Sequence, residues 1–169
     1  LAAGGVVIMP CDTIYGLVGL APDTEERIRG LKGREEKSFL QLIGSAQWLP
    51  RFTAAGLPPS LAAYWPGPLT VIFPARTGTV ALRVPADRLL DELLGRLDRP
   101  LFSTSVNRSG RPALFRIHEI CEQFESGVDL VVDAGDLPAK LPSTILDATR
   151  RPFRVLRPGA VSIPDSLLR

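Results

Sequence analysis

The chain has 169 residues, 45% apolar and 22% charged, with 20 Lys plus Arg against 18 Asp plus Glu and a net charge of +2. That size supports one domain, residues 1–169, with a substantial core, and the near-neutral balance excludes a generic nucleic-acid binder, so any basic site has to be local. Two cysteines, Cys11 and Cys121, and one histidine, His118, form no metal-ligating spacing and no disulfide framework, which argues for a reducing, cytoplasmic setting without a structural metal.

No apolar run approaches the ~18 residues of a membrane span, so no membrane partner is expected. Leu1 to Ile8 is too short for a signal peptide and has no basic leader. The chain opens within an element and without a Met, so a few natural residues are expected to precede it.

In chain order, Val6 to Met9 reads as a short buried strand stopped by Pro10. Cys11-Asp12-Thr13 is a polar turn, and Ile14 to Leu20 is a strand with two glycines that permit close backbone approach. Asp23 with Glu26 three residues on predicts a capping box and a helix over 24–31. The loop Gly30 to Lys37 follows. It holds three cations, and Lys32 and Arg34 would share one face if the backbone is extended. A compact ammonium beside a planar guanidinium on a Gly-containing loop suits a polyphosphate, although a solvated charged turn has the same composition.

Phe39 to Ile43 is a further strand, Ser45 precedes a short helix containing Trp48, and Pro58-Pro59-Ser60 opens another helix through Tyr64. Runs 69–73 and 79–84 are close enough to form a hairpin, with Arg83 alone among apolar neighbours. Leu89, Leu90, Leu93, Leu94 and Leu97 predict an amphipathic helix over 87–97. Strands at 101–104, 130–133, 143–147 and 153–156, with a helix over 117–124, complete the pattern. Short strands interleaved with helices and broken by Pro and Gly predict an α/β domain with an open, twisted, mixed sheet.

Ser105 and Asn107 sit where a strand yields to a loop, and their spacing points both side chains one way. They could donate to phosphate or ribose oxygens, or serve as ordinary turn residues. Arg83 in an apolar strand needs either a carboxylate or, at a sheet edge, water. Arg157 before Pro-Gly could reach a phosphate or stay solvated. Thr13, Ser143 and Thr144 suit a small polar ligand or local capping. Asp12 is the nearest carboxylate to any magnesium ion. Cys11 and His118 lack partners for nucleophilic or general-base roles. No Walker loop and no Gly-x-Gly-x-x-Gly is present.

Taken in order, Pro10-Cys11-Asp12-Thr13-Ile14-Tyr15-Gly16-Leu17, Lys32-Gly33-Arg34, Trp65-Pro66-Gly67-Pro68-Leu69-Thr70, Leu82-Arg83-Val84-Pro85, Ser105 to Pro112, Ser143-Thr144 and Leu156-Arg157-Pro158-Gly159 resemble the YrdC-like (TsaC) proteins over nearly the whole chain. The resemblance implies an open twisted α/β sheet with flanking helices and a concave basic face. It implies an L-threonylcarbamoyladenylate synthase, a nucleotidyltransferase that converts L-threonine, bicarbonate and ATP into threonylcarbamoyl-AMP and pyrophosphate. The product would serve adenosine 37 of tRNAs through downstream threonylcarbamoyl-transfer proteins, with tRNA itself a candidate partner. Mg2+ would be held mainly by the ATP phosphates.

By position, the resemblance assigns catalysis to Lys32, Arg34, Ser105 and Asn107, and further ATP contacts to Ser38, Thr70, Ala113 and Arg157. It assigns threonine contacts to Thr13, Arg83, Ser103 and Ser143. Cys11, Val106, Glu35 and Ile43 stand where the family often has Thr, Ala, Pro and His. Two other readings use similar residues: a non-catalytic RNA-binding or ribosome-maturation module, and the carbamoyl-transfer domain of hydrogenase maturation proteins, which accompanies Cys clusters that this chain lacks.

Overall fold

The computed structural model describes residues 1–33 and 39–168. The strands are β1 (Val7–Pro10), β2 (Tyr15–Leu20), β3 (Leu40–Leu42), β4 (Leu69–Pro74), β5 (Thr79–Arg83), β6 (Leu101–Ser105), β7 (Leu130–Val131), β8 (Thr144–Asp147) and β9 (Arg154–Arg157). The helices are α1 (Glu25–Lys32), α2 (Arg88–Leu97) and α3 (Ile117–Phe124). These strands join one sheet in the order β7-β1-β2-β6-β3-β5-β4-β8-β9. Pairing is mixed: β4–β5 is the expected hairpin, while β4–β8 and β3–β5 run parallel.

Strand alternation sorts the side chains. Val6 and Ile8 pack with Ile28 of α1 and Ile120 and Phe124 of α3, whereas Val7 and Met9 pack on the other face with Leu90 and Leu94 of α2. Both faces of β2 are therefore buried. In the other half of the sheet only one face has a core. Leu69, Val71, Phe73, Leu82 and Leu146 pack against Trp65 and the chain around Val161 and Ile163. Thr70, Ile72, Ala81, Arg83 and Ile145, one residue out of phase, face a cavity instead. The concave face is the part of the sheet that none of the described helices covers.

The local signals hold only in part. Asp87 caps α2, accepting from Leu90 N at 2.9 Å. Leu89 is 46% exposed and leaves the apolar stripe. The expected capping box at α1 does not form: Thr24 is the N-cap and makes no side-chain cap bond. Asp23 is drawn instead to Arg99 at 2.8 Å, and that hydrogen bond holds its carboxyl below the usual range. The two segments containing Trp48 and Tyr64 are 3-10 turns, Ala46–Arg51 and Pro59–Tyr64, rather than α-helices. No helix among the described residues is long and apolar enough to cross a membrane.

Candidate functional site

A cavity of about 370 Å³ opens on the concave face, within the range of small-molecule sites. Its floor runs over β2, β6, β3, β5, β4 and β8, and the 105–115 loop and the 140–143 segment also line it. Arg83, Arg111, Lys140 and Arg157 line it, and none of the described lining residues is a carboxylate. That asymmetry suits an anion.

Small buried hydroxyls form part of the lining. Thr13 and Ser103 are 8% and 6% exposed. Thr70 and Ser143 join their hydroxyls at 2.8 Å. Gly16 is required there, because a Cβ would lie 2.9 Å from Cys11 Sγ and 3.2 Å from Ser103 Oγ. Cys11 lines the same wall, and burial pushes its thiol up to about 12, so it stays protonated and is no nucleophile.

Arg83 lies on β5, an interior strand between β3 and β4, so the edge-strand alternative is excluded. It is 3% exposed. Its Nη2 lies 3.0 Å from Asp12 Oδ1, and both side chains are 4% exposed. Among the described residues, neither Asp12 oxygen nor Arg83 Nε has a hydrogen-bond partner of good alignment. Burial pushes the Asp12 carboxyl up, and the Arg83 charge opposes that shift. Asp12 thus faces a guanidinium rather than a candidate metal.

The loop after β6 also lines it. Ser105 donates to Asn107 Oδ1 at 2.6 Å, and Asn107 Nδ2 donates to the Arg108 carbonyl at 3.0 Å and to that of Arg111. Lys32 is not in an extended loop, as expected from its spacing to Arg34. It is the last residue of α1, 3% exposed, and Gly33 ends the helix in the left-handed region at φ 59°. Its ammonium donates to the Ser105 carbonyl at 2.7 Å, the Asn107 carbonyl at 3.1 Å and Asn107 Oδ1 at 2.8 Å. Lys32 therefore ties the end of α1 to the loop after β6. Asn107, whose amide hydrogens go to loop carbonyls, likewise shapes the loop. Ser105, Asn107 and Ala113 line the cavity; Arg34 and Ser38 lie outside the described residues.

Arg157 donates through Nε and Nη2 to the Ser143 carbonyl at 3.2 and 2.7 Å, and through Nη2 to Ser143 Oγ at 3.2 Å. Partial burial, and then the charge of Arg83, lower its affinity for a proton. The two guanidiniums line one cavity and repel, and a bound anion relieves that repulsion. Gly159 lets the chain after β9 pass against the backbone of 142–144; a Cβ there would lie 2.3 Å from the Pro142 carbonyl oxygen and 2.6 Å from Thr144 N. Thr144 Oγ1 secures the same crossing by donating to the Val161 carbonyl at 2.6 Å. Tyr15 ties down the 134–135 segment: its hydroxyl donates to the Gly135 carbonyl and accepts from Ala134 N, both at 2.9 Å.

Sequence reasoning misses Lys140 and Phe115, which belong to no spacing pattern, and gives no role to Arg111 although it lies within the Ser105 to Pro112 motif. It also misses the role of Asp12. The sequence offers that carboxylate to a metal, and only its buried contact with Arg83 reveals what it faces.

A family model for Sua5, YciO and YrdC proteins, described as telomere recombination, matches residues 1–159. The chain is 32% identical over 182 residues to the threonylcarbamoyl-AMP synthase of Pyrococcus abyssi, covering 96% of this chain and 52% of that protein. It is 34% identical over 179 residues to the threonylcarbamoyl-AMP synthase of Vibrio cholerae, covering 94% and 93%. The crystal structure of Pyrococcus abyssi Sua5 complexed with L-threonine matches with a TM-score of 0.83 at 30% identity, over 94% of this chain and 51% of that one. The chain spans about half the length of the Pyrococcus protein and nearly all of the Vibrio one.

Proposed function

This chain belongs to the Sua5/YciO/YrdC family, and on that footing we propose that it is an L-threonylcarbamoyladenylate synthase using L-threonine, bicarbonate and ATP. The observation that carries the reading is a cavity whose described lining holds no carboxylate and combines buried hydroxyls, four cations and the Ser105–Asn107 loop. The hydroxyls with Arg83 suit a small hydroxy amino acid, its carboxylate on Arg83. The Ser105–Asn107 loop, Arg111 and Arg157 suit a nucleotide, with Ala113 and Phe115 as apolar lining.

Threonine's amine and bicarbonate-derived CO2 form a carbamate with loss of one proton. A carbamate oxygen attacks the α-phosphorus of ATP, the bond to the β-phosphate bridging oxygen breaks, and pyrophosphate leaves. This chain's contribution is placement and charge. Thr13, Ser103 and Ser143 orient threonine, Arg83 holds its carboxylate, and Arg157 with Thr70 faces the phosphates. Lys32 keeps Ser105 and Asn107 in register, and Arg34 and Ser38 complete the ATP contacts. No protein nucleophile is needed, consistent with the inert Cys11.

Mg2+ accompanying ATP would neutralise phosphate charge. As the family resemblance implies, the ATP phosphates would be its main ligands. The product would pass in the cytoplasm to proteins that transfer the threonylcarbamoyl group to adenosine 37 of tRNA.

The test is incubation with ATP, threonine and bicarbonate, with mass-spectrometric detection of threonylcarbamoyl-AMP and a pyrophosphate assay. Pyrophosphate release that needs all three supports the proposal. Indifference to threonine, together with RNA binding that falls steeply with salt, would replace it with the RNA-binding reading.

A further inference from the structure

Asp12 does not line the cavity, although its neighbours Cys11 and Thr13 do. It lies behind Arg83, with Oδ1 3.0 Å from Nη2. Two features of this contact go beyond an ordinary buried pair. Arg83 Nε has no hydrogen-bond partner among the described residues even though the side chain is 4% exposed, so the ion pair with Asp12 is the contact that holds the guanidinium. Arg83 also shares the cavity wall with a second guanidinium, Arg157, and like charges in one cavity repel. With no carboxylate among the described lining residues, none of them restrains Arg83 against that repulsion. A carboxylate behind it does so without taking space from a ligand.

We propose that Asp12 is a positioning residue that aims the Arg83 guanidinium at the carboxylate of the amino-acid substrate, and so sets amino-acid affinity independently of ATP affinity. This rests on the synthase reading above. Removing the charge of Asp12 while keeping its shape frees Arg83 to swing or to withdraw. The lesion falls on amino-acid binding, because the ATP contacts come from other elements.

Steady-state pyrophosphate release in Asp12→Asn is expected to show a threonine KM raised ~10-fold or more, with the ATP KM within about twofold of the parent protein. Asp12→Glu, which keeps the charge, recovers at least half of that loss on a logarithmic scale. In an Arg83→Lys background, Asp12→Asn adds less than about a twofold further effect, because the two residues act through one contact. A threonine KM unchanged in Asp12→Asn, a parallel rise in both KM values, or the full effect persisting in the Arg83→Lys background would overturn the inference.

A measurement on the unsubstituted protein keeps the test valid should the variants fail to fold. Nitrogen-15 NMR of the Arg83 side chain, assigned by through-bond correlation to its own backbone in the unsubstituted protein, should show hindered rotation with resolved Nη protons. Free rotation sinks the inference. Absence of threonine-dependent turnover in the unsubstituted protein would instead sink the synthase reading, leaving the NMR result to decide the role of Asp12.

Discussion

Replacing Lys32 by Met separates two roles that a buried lysine beside a phosphate-sized cavity could have. Met keeps the apolar stem and deletes the ammonium. Three acceptors lose a charged donor: the Ser105 carbonyl, the Asn107 carbonyl and Asn107 Oδ1, at 2.7, 3.1 and 2.8 Å. Hydrogen bonds to charged groups contribute ~1.5–3 kcal/mol each. Water at the cavity side replaces some of them, and the desolvation cost of the ammonium is regained. The net loss is about 3 kcal/mol, which for a chain of this length lowers Tm by roughly 6–12 °C. The 105–107 loop then shifts, and a displacement of ~1 Å at a reacting centre costs on the order of 10²-fold in turnover. Thermal melting and threonine-dependent pyrophosphate release are measured on the same preparation. A Tm within about 2 °C of the parent protein with activity still lost would refute this account and assign the ammonium to the phosphates directly.

Gly159→Ala places a Cβ on backbone that cannot yield, so Tm falls by an amount corresponding to ~1–3 kcal/mol and the ATP KM rises; an unchanged melt would show that the 142–144 crossing is not rigid. Gly16→Ala narrows the hydroxyl-lined part of the cavity, raising the threonine KM about tenfold, and a second change, Cys11→Ala, should restore it to within about threefold by removing the sulfur that the new methyl meets. Failure of that rescue removes the steric account. For Cys11 itself, a thiol pushed up to about 12 is only ~10⁻⁴ ionised at pH 8, so iodoacetamide should modify Cys121 in the folded protein and Cys11 only after unfolding. The same shift has a definite sign. Between 9.0 and about 12 the unfolded thiol loses its proton while the folded one keeps it, so this group makes stability fall as pH rises through that window.

Strands were legible from the sequence because apolar runs between Pro, Gly and polar turns have little alternative in a chain of this composition. Only their ends moved, as at β7, which stops at Val131. Helix details were less legible. The capping box at Asp23 needed a free carboxylate, and Arg99, 76 positions away, takes it. Leu89 fits the helical period but lies beyond the neighbours that bury Leu90 and Leu94. At the site, the polar residues were visible as chemical types, but their division of labour was not. Lys32 and Ser105 differ by 73 positions, and nothing local states that the ammonium faces a carbonyl rather than a ligand. Arg83 could not be placed at an edge or in the interior until strand order was known. Arg111 and Lys140 are ordinary surface cations in the sequence and become cavity walls only through topology.

The hydrogen bonds that frame the cavity join Lys32 to Asn107 and Thr70 to Ser143, spans of 75 and 73 positions. Such closures form only once the non-local strand order is in place. A pocket assembled in this way exists in no smaller cooperative unit of the chain. Saturating it with nucleotide should therefore slow hydrogen exchange in β1 and β9 alike, as if the whole sheet were fastened by a clasp at its centre.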